Sequence, residues 1–207
     1  MPVGIQCDAQ EMYSGAPDLK RFPELAMNDK DLLNHLFSLL ADALGEDCDP
    51  YGDDSLYGQE VRKLPAGLRA MAATYHLDVS LTLDDIGWHF GNFGAPDFVQ
   101  ETEAGLVELG LKDLAKWFAE AHSIVSSLRP ALTEDANYYE VIREAGVEER
   151  LGILNRMAIA GDTTAGSDVG GSAIFAAWVR YARAHPETLF PANRESVGGA
   201  GGNRTPE

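Results

Sequence analysis

Apolar residues recur every three or four positions along most of this chain, the spacing that gathers them on one face of an α-helix. The clearest stripe lies between Asn28 and Gly45 and consists of Leu33, Leu36, Phe37, Leu40 and Leu44. Asn28 is a good N-cap, the acidic residues after it suit the positive end of the helix dipole, and Gly45 is a typical helix stop. The pattern therefore predicts a helix that buries this stripe in the core.

The same spacing, together with Gly and Pro punctuation, predicts several further helices. Pro65 opens a helix that runs through Tyr75, and residues 82–85 have the form of a capping box for a short helix toward Phe90. Further helices are predicted at residues 96–110, 114–130, 133–146, 147–161 and 168–185. Thr133 and Asp168 are the predicted caps of two of them, and Gly161 is a predicted stop.

Strand patterns are scarce, which decides the fold class. Residues 78–83 (DVSLTL) alternate, but the run is too short to outweigh a coil or the start of a helix. The sequence predicts an all-α fold, a compact bundle of about seven or eight helices with an acidic N-terminal loop region. Residues 45–64 have no usable period and are the predicted loop. The predicted domains are an irregular segment 1–27, a single α-helical domain 28–190 and a flexible Gly-rich tail 191–207.

Charge adds a second kind of information, because the formal net charge of −17 is unevenly distributed. Residues 1–60 carry 13 acids against 3 bases, residues 61–150 carry 15 against 8, and residues 151–207 carry 5 against 5. A field of this sign repels nucleic acid and anionic lipid and attracts basic proteins. We therefore expect a basic protein partner, with no direct binding to nucleic acid or to a membrane.

The cellular compartment is predicted from what the sequence lacks. Cys7 and Cys48 stand far apart and form no disulfide framework or zinc motif. The first residues show no pattern of a signal peptide, and no apolar run approaches the roughly 18 residues that span a bilayer. The expected location is the cytoplasm.

Candidate catalytic and metal-binding motifs are incomplete. Residues 47–53 resemble the start of a calcium loop, but position twelve is Gly58, where a bidentate Glu is needed. Residues 161–168 resemble a phosphate loop without its lysine. Five histidines are scattered singly, and His89 in its aromatic surroundings is most simply a core residue. We expect no enzyme, no catalytic or metal-binding residue and no cofactor.

The carboxylates themselves are the predicted binding residues. A helix face with carboxylates three or four residues apart spaces them roughly 5–6 Å apart, comparable to successive phosphates along one DNA strand. Such an array is expected to contact a DNA-binding protein. The predicted partner-binding residues are Glu46, Asp47, Asp49, Asp53, Asp54, Asp97, Glu101 and Glu108.

One part of the chain resembles a known family. Residues 87–94 (GWHFGNFG) and 102–121 (TEAGLVELGLKDLAKWFAEA) are similar to the core of a bacterial family of small acidic helical proteins that includes a DNA-mimic protein. The family has a Gly-aromatic segment, then a helix reading Ala-Leu-x-x-Leu-Gly, which residues 106–110 (LVELG) match, then an Ala-rich acidic helix. The resemblance, over residues 86–131, implies a helical fold and a dimer that occupies the DNA-binding face of a transcription factor.

Together these observations lead to a functional expectation with two alternatives. The expected function is a non-enzymatic acidic interaction protein, a DNA mimic that binds the DNA-binding face of a transcription factor or another basic protein. The first alternative is an immunity or antitoxin-type protein that neutralises a basic toxin. The second is an enzyme of unknown class with a pocket near His89.

Overall fold

The computed structural model describes residues 18–45, 48–52, 54–132, 136–163 and 172–190. Within these ranges all regular structure is helical, which confirms the all-α prediction, and it comprises nine α-helices and three short 3₁₀ turns. The α-helices are α1 (Asp29–Leu44), α2 (Tyr57–Arg62), α3 (Ala66–Leu83), α4 (Ile86–Asn92), α5 (Pro96–Glu108), α6 (Lys112–Leu128), α7 (Tyr138–Glu144), α8 (Glu148–Thr163) and α9 (Ala173–Ala184). The 3₁₀ turns are Pro23–Ala26, Arg129–Ala131 and Pro186–Thr188.

Helix α3 lies at the centre of the bundle and is buried over most of its length. It packs against α1, α2, α4, α5, α8 and α9, so apolar and small residues surround it on nearly every side. Two buried threonines join it to its neighbours. Thr74 Oγ1 accepts a hydrogen bond from the indole of Trp178 in α9 at 3.0 Å, and Thr102 of α5 donates to the carbonyl of Ala73 at 2.9 Å. These polar groups are satisfied inside the core, as burial requires.

Two glycines allow neighbouring helices to approach closely. At Gly58 in α2, a Cβ atom would lie 2.5 Å from the backbone nitrogen of Phe98 in α5. At Gly105 in α5, it would lie 3.0 Å from the carbonyl oxygen of Ala70 in α3. Because backbone atoms cannot move aside as the end of a side chain can, these contacts fix α2 and α3 against α5.

Helices α4, α6 and α8 form a second part of the core. Phe90, Phe118 and Leu154 come from these three helices, and each is at most 5% exposed. The rings of Phe90 and Phe118 lie 4.9 Å apart. The backbone nitrogen of Ile86 donates to Asn155 Oδ1 at 2.9 Å, so the start of α4 is held against α8.

The segment before α1 also packs into this core. Phe22 and Leu25 are buried, and Arg183 of α9 donates to the carbonyls of Leu25 and Met27 at 3.0 Å each. Arg183 also pairs with Asp29 at 2.5 Å. Residues 22–27 therefore contribute to the same packed unit as the helices, although the sequence placed the start of the helical domain at residue 28. Residues 191–207, the predicted tail, lie outside the described residues.

Several helix boundaries agree with their sequence signals. Asn28 caps α1 by accepting the backbone N–H of Asp31 at 2.9 Å. Gly45, Gly110 and Gly146 follow their helices with positive φ, the conformation that favours glycine at a helix end. Pro96 occupies the first position of α5. The cap, the glycines and the proline therefore confirm these predicted helix boundaries.

Other boundary predictions are wrong. Residues 78–83 are helical, because α3 continues through Leu83, and Thr82 does not cap the next helix. Asp85 caps α4 instead and accepts the backbone N–H of Trp88 at 2.7 Å. The predicted loop 45–64 contains α2, which the sequence did not indicate.

The caps of the last helices also differ from prediction. Asn137 caps α7 by accepting the backbone N–H of Tyr139 at 3.0 Å, whereas the predicted cap Thr133 lies outside the described residues. Ser172 caps α9, and the predicted cap Asp168 likewise lies outside them. Helix α8 continues past Gly161 to Thr163, since an isolated glycine does not stop a helix that packing supports.

Candidate functional site

The three predicted binding carboxylates on α5 do not form a free acidic row. Glu101 is 2% exposed and accepts hydrogen bonds from Arg62 Nε at 2.7 Å and from Arg69 Nε at 2.5 Å. Both of its oxygens are engaged inside the protein, where they join α2 and α3 to α5. Its assignment as an exposed partner-binding residue is therefore corrected, and Glu101 is a structural ion-pair residue.

The other two predicted binding carboxylates of α5, Asp97 and Glu108, are more exposed, but each has an internal partner. Arg62 Nη2 lies 3.4 Å from Asp97 Oδ1, and the hydroxyl of Tyr181 donates to Glu108 Oε1 at 2.7 Å. Burial and the Glu108 carboxylate raise the pKa of Tyr181 to about 12, so this hydroxyl keeps its proton at neutral pH. Helix α5 thus offers less free negative charge than its sequence suggests.

The predicted residues before α2 are placed differently. Asp49 and Asp54 are exposed, and neither forms an ion pair with another described residue. Asp49 Oδ1 accepts the backbone N–H of Tyr51 at 3.0 Å, and Ser55 donates to the Asp49 carbonyl at 2.7 Å, so this turn has a defined shape. The predicted residues outside the described ranges are Glu46, Asp47 and Asp53.

These aspartates belong to a longer run, residues 31–60, which we call the acidic segment. Between Lys30 and Arg62 the sequence holds eight carboxylates and no Lys or Arg. Those the structure describes are all exposed: Asp31, Asp42, Asp49, Asp54 and Glu60. Glu60, which the sequence reasoning did not single out, pairs with Lys63 at 2.6 Å.

Most nearby cations are already committed to carboxylates. Arg62 and Arg69 face Glu101, and the hydrogen bond to the Glu101 carboxylate raises the pKa of Arg62. Arg183 pairs with Asp29 at the start of α1. These three arginines, of those in the described part of the chain, are therefore paired with carboxylates outside the acidic segment.

The acidic segment borders an apolar cavity of about 520 Å³, which we call the aromatic cavity. It opens between the end of α1, the turn before α2 and the middle of α3. Its lining residues are Phe37, Leu40, Ala41, Leu44, Gly45, Cys48, Pro50, Tyr57, Tyr75 and His76. Four of these ten carry aromatic rings, and none carries a carboxylate or a permanently cationic side chain.

A second, more polar cavity of about 560 Å³ adjoins the first and is called the acidic mouth. The two share Leu44, Gly45, Cys48 and Tyr57 as lining residues. The acidic mouth adds three carboxylates to this shared wall: Asp49, Asp54 and Glu60. The apolar aromatic cavity therefore adjoins the negatively charged acidic mouth.

Three titratable groups of the aromatic cavity, His76, Tyr57 and Cys48, are neutral at pH 7. Burial lowers the pKa of His76 to about 4, so its imidazole carries no charge. Burial raises the pKa of the Tyr57 hydroxyl and of the Cys48 thiol, which both keep their protons. Among the described residues, the charged side chains that line the two cavities are consequently the three carboxylates of the acidic mouth.

His89, the centre of the enzyme alternative, has no access to solvent. Its side chain is 0% exposed and lies against Phe90, Phe93 and Phe118 at ring distances of 5.5, 5.1 and 5.6 Å. Nδ1 lies 2.9 Å from Ser80 Oγ, and Nε2 has no hydrogen-bond partner among the described residues. Burial lowers its pKa to about 3, which makes it a neutral core residue.

The other described parts of the surface provide weaker candidates for a functional site. Of the carboxylates in residues 70–111, Asp78 is buried and accepts a hydrogen bond from Ser172, and Glu101 is buried as described. Tyr139 is 53% exposed and stacks on Trp88. Within the described ranges, no group of three or more His, Cys, Asp or Glu side chains could hold a metal ion. In that same part of the chain, no helix has the length and apolarity to cross a bilayer.

The comparisons with known proteins give no family for this chain. No family model, no curated protein and no solved structure matches it. The resemblance carried by residues 87–94 and 102–121 therefore remains a prediction.

The sequence reasoning found Asp49 and Asp54 but missed the cavity they border. Phe37, Tyr57 and Tyr75 come from three helices, and no spacing in the chain connects them. One signal was present, because the apolar stripe of α1 continues to Leu44, beyond the residues that are fully buried. An apolar stripe that extends past the buried residues indicates an apolar surface that the helix bundle leaves partly exposed.

Proposed function

We propose that this protein is a non-enzymatic binding protein whose acidic segment recognises a basic partner. The observation that carries the proposal is the exposure of every described carboxylate of residues 31–60, in a stretch without Lys or Arg. A compact region of one sign attracts a partner of the other sign and accelerates its association.

The finer proposal is that the partner is a DNA-binding protein whose basic face the acidic segment occupies. DNA presents a dense row of negative charge, and a protein surface of the same sign competes for the same lysines and arginines. The exposed carboxylates of the acidic segment, rather than those of α5, are the proposed contacts. A homodimer and a cytoplasmic location remain predictions from the sequence.

A basic toxin fits the same electrostatics, and the identity of the partner distinguishes the two possibilities. The enzyme alternative finds no support at His89, since a general acid or base must reach its substrate and this imidazole is enclosed by phenylalanines.

The test is affinity capture with two matched variants. One variant replaces Asp49, Asp54 and Glu60 by Asn, Asn and Gln. The control replaces Asp84, Glu103 and Glu144 by their amides; these carboxylates are exposed elsewhere and form no ion pair with another described residue. Both variants remove three negative charges, so they share the same net charge.

The expected result is a basic protein captured by the wild type and by the control and lost from the acidic-segment variant. A transcription factor as the captured protein supports the DNA-mimic proposal, and a basic nuclease or other toxin supports the immunity proposal. Equal capture by both variants, or equal loss from both, overturns the acidic segment as the binding site.

A further inference from the structure

We infer that the aromatic cavity and its acidic mouth form a binding site for a small organic cation, an amine with an apolar or aromatic body. This inference goes beyond the protein partner proposed above, although both involve the carboxylates Asp49, Asp54 and Glu60.

The size and lining suit a small ligand. A volume of about 520 Å³ lies within the range of roughly 300–1,000 Å³ that is typical of ligand sites. Phe37, Leu40 and Leu44 provide an apolar wall from α1, and Pro50 provides another from the turn. Such a wall favours a hydrocarbon or aromatic body over a polar one.

The rings of the cavity suit the aromatic body of a ligand. The rings of Tyr57 and Tyr75 lie 5.4 and 5.0 Å from the ring of His76, and Phe37 lies 6.0 Å from Tyr75. Aromatic rings prefer edge-to-face and offset contacts of this kind, so the aromatic body of a ligand can pack against them. The His76 imidazole, which is packed against Phe93 at 4.6 Å, is neutral and does not repel a cation.

The carboxylates at the acidic mouth favour a cationic ligand. Asp49 and Asp54 form no ion pair with another described residue, and Glu60 is only partly offset by Lys63. A ligand that places its body in the aromatic cavity can direct its ammonium group to these carboxylates, whereas an anion is repelled. The chain's own residues 1–17 carry Asp8 and Glu11 and no Lys or Arg, so their charge has the wrong sign for this opening.

The experiment uses three probes of equal length on the full chain: 4-phenylbutylammonium, 4-phenyl-1-butanol and 4-phenylbutyrate. Binding is measured by isothermal titration calorimetry and by chemical-shift changes of the tyrosine rings. We expect the amine to bind about tenfold more tightly than the alcohol, and the carboxylate to bind more weakly than both.

Two phenylalanine substitutions on α1 locate the site. Ala41 lines the cavity and Ala43 does not, and both side chains are exposed, so neither change overpacks the core. Ala41→Phe should fill the chamber and abolish binding of the amine, whereas Ala43→Phe should leave it unchanged. Circular dichroism and thermal unfolding confirm that both variants are folded.

A third variant, Asp54→Asn, tests the mouth. It should reduce the preference for the amine over the alcohol severalfold while leaving binding of the alcohol unchanged. The inference is overturned if the amine fails to bind, if amine and carboxylate bind equally, or if Ala41→Phe binds the amine as the wild type does. These outcomes do not depend on whether a protein partner exists.

Discussion

Helix α5 carries a buried carboxylate, Glu101, and an exposed one, Glu103, so substitutions of the two residues compare a structural charge with a surface charge on the same helix. Glu101→Gln keeps the size of the side chain but removes its charge and replaces one acceptor oxygen by an NH₂ donor. One arginine can still donate to the remaining oxygen at 2.5–2.7 Å, while the other now faces a second donor. The substitution therefore breaks one charged hydrogen bond and weakens the other.

The expected size of the effect follows from the burial of each group. Hydrogen bonds to charged groups contribute about 1.5–3 kcal/mol, and breaking a buried ion pair costs about 3–5 kcal/mol. Here Glu101 is 2% exposed but its arginines are 39–40% exposed and can regain water, which places the expected loss near 2 kcal/mol. Glu103→Gln, two residues further on the same helix and exposed, should change stability by less than about 0.5 kcal/mol.

Urea unfolding followed by tryptophan fluorescence measures both variants. The midpoint of Glu101→Gln should fall with an unchanged slope, because the unfolded state and the area exposed are the same. If the two variants are equally stable, Glu101 does not hold α2 and α3 to α5. If Glu101→Gln is as stable as the wild type and loses partner binding, the assignment of Glu101 to the interior is refuted.

Two further predictions concern the core. In urea unfolding, Gly58→Ala should destabilise the protein by about 1–3 kcal/mol, because its Cβ would lie 2.5 Å from the Phe98 backbone. Gly91→Ala in α4, where a Cβ meets open space, should instead stabilise the protein by up to about 1 kcal/mol. Equal effects of the two substitutions would contradict the close packing of α2 against α5. Burial lowers the pKa of His89 to about 3 in the folded protein, whereas the unfolded chain has a histidine pKa near 6.5. Between these two pH values only the unfolded chain binds the proton. The stability that is present above pH 6.5 is therefore lost as the pH falls. His89→Leu should reduce the slope of stability between pH 4.5 and 6 by about 1.4 kcal/mol per pH unit, and an unchanged slope would show that His89 is accessible in the native protein.

How far the fold could be predicted depended on where each signal lies. The ends of α1 and the start of α5 were predicted because Asn28, Gly45 and Pro96 act on their own neighbours in the chain. Helix α2 was missed because its six residues, YGQEVR, are too few to show a period, and packing of Tyr57 and Val61 against the core stabilises it.

The candidate site divides in the same way. The exposure of Asp49 and Asp54 followed from a polar, irregular stretch of sequence. The burial of Glu101 did not, because Arg62 and Arg69 lie 39 and 32 residues away and only the packing of α2 and α3 on α5 brings them together. Spacing along a helix cannot show which carboxylates a distant arginine neutralises.

The most direct test of the proposed function is the salt dependence of association with the captured basic partner. Association rates are measured for the wild type, the Asp49/Asp54/Glu60 variant and the Asp84/Glu103/Glu144 control, while the Debye length shrinks from about 10 Å at 0.1 M salt to about 3 Å at 1 M. The account predicts that the wild type and the control associate rapidly at low salt and slow steeply as salt rises. The acidic-segment variant should begin severalfold slower and respond less to salt. Equal rates and equal salt dependence for the two variants would contradict the account, because recognition would then not depend on where these charges lie.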